Sequence, residues 1–357
     1  MCICLFLFHY LLMTKKDDFK TIQEIGFNTF IEKLTSYSGT SVKETVVGLG
    51  DDSSVIDPGS GMNVCTSSRV FLEGVHFDLT YTPFRHLGYK SVTAAVSEIY
   101  AMNGQPKNLH INLAVPNRYS VQMMEQLFDG VDAACKDYGV QVTGGDATAS
   151  HQILVISVTG TGVVDKNSVV KRSGAAEDEI ICVTGELGAA IAGLRILLRE
   201  KRAWKESGSS HFQPDLEKYE YVVQRQLVPE ARQDLLEGFK KAGVHPTSMT
   251  DVTGGIVNDL QKIGKSSGKG IEIYSPAIPI SFEVRNVADE MQEDVDKYAF
   301  YGGEDYEMLF TLREEDVEKL KADFEDFSVI GKIVSKDKQL IINTGEESTI
   351  KVDLFET

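Results

Sequence analysis

Val47-Gly48-Leu49-Gly50-Asp51-Asp52-Ser53-Ser54-Val55-Ile56 is a reversal between two apolar runs. Two glycines let the backbone turn, two adjacent carboxylates follow, and an apolar run resumes. Taken alone, Asp51-Asp52 reads as a solvated turn. Three further glycine-flanked acidic stretches lie downstream, at Gly144-Gly145-Asp146, Thr250-Asp251-Val252-Thr253-Gly254-Gly255 and Gly302-Gly303-Glu304-Asp305. Repetition of that pattern in one chain points to a place where carboxylates gather hard cations around phosphate. Each half of the chain runs a strand into a Gly-Gly-acid turn, which suggests two related lobes.

Moving outward, residues 17–38 read as a helix with Ile22, Ile25, Phe27, Phe30, Ile31 and Leu34 on one stripe. Strands are expected at 42–56, around the turn, and at 63–71. Residues 83–103 read as a helix apolar over most of its circumference, and therefore buried. Glu98 lies inside that run, where a carboxylate is costly unless paired or metal-bound, so it is either a ligand or an edge-of-face residue. Strands at 110–115, 140–143 and 153–164 flank an amphipathic helix at 120–138. Lys171-Arg172-Ser173-Gly174 interrupts the pattern and marks a boundary. Beyond it, strands at 179–183, 248–252, 271–274, 306–312, 328–334 and 339–343 alternate with helices, among them 189–202, 230–241, 286–299 and 314–324. The fold class is α/β of the α+β type, with mixed sheets packed with helices. The domain reading is a leader at 1–16, an N-terminal lobe at 17–168 and a C-terminal α/β domain at 169–357.

The 357 residues carry a net charge of -17, with 42% hydrophobic and 25% charged residues, as in a soluble globular protein. That charge disfavours a nucleic-acid partner, and it suits anionic substrates only where metal ions or local arginines reverse the sign. The five cysteines are scattered, and Cys2-Ile3-Cys4 lacks zinc spacing, so they read as reduced thiols of a cytoplasmic protein. MCICLFLFHYLL at 1–12 is too short to span a bilayer, and its charges follow the apolar run instead of preceding it. It reads as a mis-called start or an extension, with no membrane partner. Gly264-Lys265-Ser266 mimics a P-loop ending, but Asp259 stands where its first glycine is required. His76 is the single histidine in a motif-like setting.

The motifs GLGDDSSVID, LEGVHFD, HLGYKSVTAAVSEIYAMNGQP, VTGGDAT, KRSGA, DEIICVTGELGAA, TDVTGGIVNDL and YGGEDYEMLFT occur in that order from about residue 20 to the end. In order and spacing the set resembles the thiamine-monophosphate kinase family of the aminoimidazole-ribotide-synthetase-like superfamily. The resemblance implies a two-lobed fold whose N-terminal lobes pair in a homodimer with a barrel-like core. It implies ATP-dependent phosphorylation of thiamine monophosphate to thiamine diphosphate, with ATP as co-substrate and several Mg²⁺ ions. The acceptor is itself an ionised phosphate, so no catalytic general base is assigned, and charge neutralisation and alignment carry the reaction.

Carried over by position, the resemblance implies metal binding by Asp52 (with Asp51 beside it), Ser67, Ser68, Glu98, Asp146 and Asp251. It implies ATP binding by Gly145, Asp146, Arg172 and Thr253, and substrate binding by His76, Glu304 and Phe355. Three positions depart from the family pattern. Arg69 stands where a strand-end aspartate is expected, Glu98 replaces an aspartate, and Gly254 replaces the aspartate of a Ser-Asp-Gly-Leu motif. Arg69 and Gly254 cannot ligate a metal through a carboxylate. Either Arg69 takes over a cation's part as a phosphate clamp, or the chain is a nucleotide- and thiamine-phosphate-binding relative without activity. A third reading is a same-superfamily ATP-dependent enzyme acting on another small substrate.

Overall fold

The computed structural model describes residues 20–37, 42–208, 213–345 and 349–352; the apolar run at 1–12 and Phe355 lie outside them. The chain divides into two units between Lys43 and Glu44. In the first, the helix expected over 17–38 is two helices, α1 (Ile22–Ile25) and α2 (Phe27–Ser36). Gly26, at φ 78°, breaks them apart. Thr21 opens α1 with a reciprocal capping box, its side chain accepting the Glu24 amide while Glu24 returns to the Thr21 amide.

The second unit holds two sheets. The first runs β1 (Thr45–Val47), β2 (Ser54–Ile56), β3 (Met62–Leu72), β6 (Val155–Asp165), β4 (Gln105–Pro116) and β5 (Gln141–Ser150), in that spatial order. Its pairs are antiparallel except the parallel β4–β5 pair. Helices α3 (Phe84–Tyr100) and α4 (Val121–Tyr138) pack together along this sheet's apolar side. They cross in near-contact because glycine sits at both crossing points. A Cβ on Gly88 would lie 2.0 Å from the Leu127 carbonyl oxygen, and one on Gly130 would lie 1.8 Å from that of Arg85. Farther along, α3 presses Ile99 against Gly160 and Gly162 of β6.

The second sheet is ordered β13 (Thr349–Val352), β12 (Leu340–Asn343), β9 (Gly270–Tyr274), β11 (Phe327–Val334), β7 (Ile180–Thr184), β10 (Met308–Leu312) and β8 (Ser248–Asp251). Its helices are α5 (Ala189–Ser207), α6 (Glu220–Leu227), α7 (Gln233–Ala242), α8 (Ile256–Ser267), α9 (Phe282–Met291), α10 (Val295–Tyr301) and α11 (Glu314–Lys321). The single helix expected at 286–299 is thus two. Gln292 terminates the first in the left-handed region at φ 56°, and Asp294 caps the second. Strand β13 is too short and too exposed to leave a periodic trace and was not foreseen. A single apolar cluster joins the α3–α4 pair (Leu87, Leu127) to the second sheet (Phe310, Met308). Burying each such side chain contributes about 1.5–3 kcal/mol, so the two sheets are held across a common core.

Candidate active site

β3 supplies the first floor of the site. Strand alternation puts Cys65, Ser67 and Arg69 on one face and Ser68 on the other. Ser67 is buried and its Oγ donates to the Ala95 carbonyl of α3 at 2.7 Å. Ser68 Oγ instead pairs with Thr159 Oγ1 at 3.1 Å. The two hydroxyls therefore point to opposite faces of the strand. Arg69, on the Ser67 side, places Nε 3.0 Å from Glu98 Oε1.

The Gly50 turn, at φ 106°, carries Asp51 and Asp52 inward. Asp51 Oδ1 accepts the backbone amides of Asp52 and Arg172, at 3.0 and 3.1 Å. Asp52 is buried, and its carboxylate is gripped by Arg172, Nη2 to Oδ1 at 2.6 Å and Nε to Oδ2 at 3.2 Å. Thr250 Oγ1 donates to the same carboxylate at 3.1 Å. Arg172 also donates to the Gly50 carbonyl at 3.1 Å, so the turn, the interlobe segment and β8 are tied together. At the end of β8, buried Asp251 accepts Ser97 Oγ of α3 at 2.8 Å. The next loop is pinned by buried Asp259, whose Oδ2 accepts the Thr253 and Gly254 amides at 3.0 and 2.9 Å. A Cβ at Gly254 would lie 3.3 Å from Asp259 Oδ1, so an aspartate there would face a like charge.

Burial, and then the neighbouring Asp251 charge, push Asp52 up to about 7 despite Arg172. Burial also lifts Glu98 to about 8, opposed by Arg69 and reinforced by Asp251 and Asp52. Both shifts place these carboxyls near neutrality. Asp251 thus acts on both Asp52 and Glu98, and the three carboxylates are already engaged, by Ser97, Arg172 and Arg69 respectively. Among the described residues, no group of three or more His, Cys, Asp or Glu side chains is arranged to hold a metal ion. As arranged, the donors do not fit a carboxylate-held metal cluster. Asp146 is not among them. It lies on the outermost strand β5, exposed, with Oδ1 accepting the Ala147 amide at 2.8 Å. Gly145 beside it, at φ 153°, is packed so that a Cβ would lie 1.9 Å from the Ile111 carbonyl oxygen.

The Gly302–Tyr306 loop forms the other wall. Glu304 and Tyr306 both adopt positive φ, 59° and 55°, unusual for non-glycine residues and most of all for a bulky tyrosine. Two backbone hydrogen bonds hold them there, the Glu304 amide donating to the Thr253 carbonyl and the Tyr306 amide to the Val252 carbonyl, both at 3.1 Å. Between them, buried Asp305 accepts the Gly188 and Ala190 amides at the start of α5, and burial raises it to about 7. Lys90, buried in α3, donates to Glu304 Oε2 at 2.8 Å and to the Gln226 carbonyl at 2.9 Å. Burial opposes ionisation of Glu304, but Lys90, with His76 helping, holds it below its ordinary range. His76 Nδ1 accepts the Leu72 amide at 3.1 Å and its ring meets Phe71 edge-on. His76 and Glu304 thus lie at one electrostatic locus, and Phe355 is outside the described residues. Sequence reading missed Lys90. Its only trace was a lysine inside a helix that reads as buried.

A two-sheet unit with Gly-acid turns and guanidinium–carboxylate pairs at Arg69–Glu98 and Arg172–Asp52 defines a class. The AIR synthase related protein N-terminal domain matches residues 50–164, and the corresponding C-terminal domain matches residues 176–343. Within that class the chain belongs to the thiamine-monophosphate kinase family. It is 30% identical to the thiamine-monophosphate kinase of Bacillus subtilis over 312 residues, 85% of this chain and 90% of the relative. The Aquifex aeolicus thiamine-monophosphate kinase is 33% identical over 263 residues, 74% of this chain and 80% of that one. A solved structure, AaThiL complexed with AMPPCP and TMP, superposes with a TM-score of 0.79 at 28% identity, covering 93% of this chain and 98% of that one.

Proposed function

We propose that the chain phosphorylates thiamine monophosphate with ATP, giving thiamine diphosphate and ADP. A phosphate oxygen of the acceptor forms a bond to the γ-phosphorus as the bond to the ADP oxygen breaks. The observation that carries this reading is kinship with thiamine-monophosphate kinases over nearly their whole length. The acceptor phosphate, with a second pKa of about 6, is ionised without a base. The site's task is then alignment and charge neutralisation. In this reading Arg172 and the Thr253 loop meet the nucleotide phosphates, and Gly145 and Asp146 meet the nucleotide from β5. Glu304 and His76 face the thiamine moiety, whose cationic ring suits a carboxylate held ionised by Lys90. Magnesium enters as the complex of ATP and belongs to the co-substrate.

We further propose a cytoplasmic homodimer built through the N-terminal lobe at 17–168, with 169–357 as the second lobe. Strand β5 supports this. It is the last strand of its sheet, ten residues long and largely exposed, and an open edge of that length invites pairing. No helix among the described residues is long and apolar enough to cross a membrane. Purified protein with MgATP and thiamine monophosphate, followed by coupled ADP release and chromatography of the product, tests the activity. Formation of thiamine diphosphate supports it. Binding of both ligands with no product would favour a non-catalytic binder, and turnover only with another small acceptor would favour a sister enzyme. Light scattering on the full chain tests the dimer.

A further inference from the structure

Three buried or nearly buried carboxylates, Asp52, Glu98 and Asp251, share one region with two guanidinium groups, those of Arg69 and Arg172. Counted with every group ionised, the formal sum is -3 + 2 = -1. Arg172 is held by directed hydrogen bonds to Asp52, Thr250 and the Gly50 carbonyl. Arg69 is held differently. Its Nε lies 3.0 Å from Glu98, yet that nitrogen is buried and makes no hydrogen bond. Burial disfavours its charge, but Glu98, Asp251, Tyr306 and Asp52 together keep it firmly protonated. The guanidinium is therefore paired with Glu98 by proximity and lies within the electrostatic reach of Asp251 and Asp52. Strand alternation gives it no other side to face, since Arg69 shares the α3-facing side of β3 with Ser67.

We propose that Arg69 is a tethered counter-cation that takes the place of one divalent ion between Glu98, Asp251 and Asp52. The nucleotide-free chain then binds no divalent cation at this cluster, and divalent ions reach the site only with the nucleotide. The inference concerns the same site as the kinase reading, but its test needs no turnover. Free Mn²⁺ is measured by electron paramagnetic resonance during titration of the nucleotide-free full chain and its variants. Arg69→Asp converts the local sum from -1 to -3, and Arg69→Ala to -2. Both should gain one Mn²⁺ per chain, bound at least about tenfold more tightly than by the native chain, because affinity follows ligand charge count. Arg69→Lys should behave as the native chain. Thermal unfolding should rise with Mg²⁺ in the Asp and Ala variants and not in the native chain. If Arg69→Asp does not fold, Arg69→Ala carries the comparison. The proposal is overturned if the native chain binds Mn²⁺ within about twofold of Arg69→Ala and loses it in Glu98→Gln. A native chain that forms no ADP would sink the kinase reading and leave the Mn²⁺ comparison standing.

Discussion

Replacing Lys90 by methionine would remove the cation that α3 holds against Glu304. The Lys90 side chain is 5% exposed and that of Glu304 is 32% exposed, so the pair is largely shielded from solvent. The substitution deletes charge-assisted bonds to the Glu304 carboxylate and to the Gln226 carbonyl, each contributing roughly 1.5–3 kcal/mol. Methionine fills most of the volume and restores some apolar burial. Residual exposure of Glu304 lets water screen part of the remaining charge. The net loss should be about 2–4 kcal/mol, and the Glu304 carboxyl should move upward once its partner is gone. A double-mutant cycle with Glu304→Gln isolates the pair. Urea unfolding at neutral pH of the native chain, both single variants and the double should give a coupling of about 1–3 kcal/mol. The sign with pH is also fixed. Glu304 is held below its ordinary range, so the coupling is present at neutral pH and lost on acidification through its folded-state pKa. A coupling under about 0.3 kcal/mol would refute the view that this pair locks the Gly302–Tyr306 loop to α3.

Other outcomes follow from the same geometry. Arg172→Met leaves the Asp52 carboxylate buried without its cation and should cost about 3–5 kcal/mol in a denaturant titration, less if Asp52 takes up a proton. Gly130→Ala forces a Cβ to within 1.8 Å of the Arg85 carbonyl and should separate α3 from α4, lowering the thermal midpoint by several degrees. The Glu98 carboxyl, raised to about 8 in the folded chain, keeps a proton that the unfolded chain has released at its ordinary value of 4.5. Stability should therefore decline between those two pH values, and the profile of Glu98→Gln should be flatter.

Much of the candidate site was legible because its elements are local. Gly50-Asp51-Asp52, Thr250-Asp251 and Gly303-Glu304 each announced a sharp turn bearing a carboxylate, and α3 announced burial through its apolar circumference. The helix breaks at Gly26 and Gln292 and strand β13 were less legible, since a short exposed segment or a single left-handed residue leaves no period to read. Side-chain partners were not legible at all. Lys90 and Glu304 meet across 214 residues of chain, and Arg172 meets Asp52 across 120. No local pattern encodes contacts that exist only once both sheets share a core.

The amino-acid sequence by itself determined the order of strands and helices and the glycine turns, because propensity and periodicity act over a few residues, and its ordered short motifs carried the family likeness. Only the tertiary structure decided which charges face one another. It turned Ser68 away from Ser67 and left Asp146 on an outer strand. It also paired Asp52 with Arg172 and Glu98 with Arg69 where the sequence suggested metal ions. The physical reason is desolvation. A carboxyl group removed from water must find a counter-charge or keep its proton, and here the fold brings each an arginine from another strand or segment.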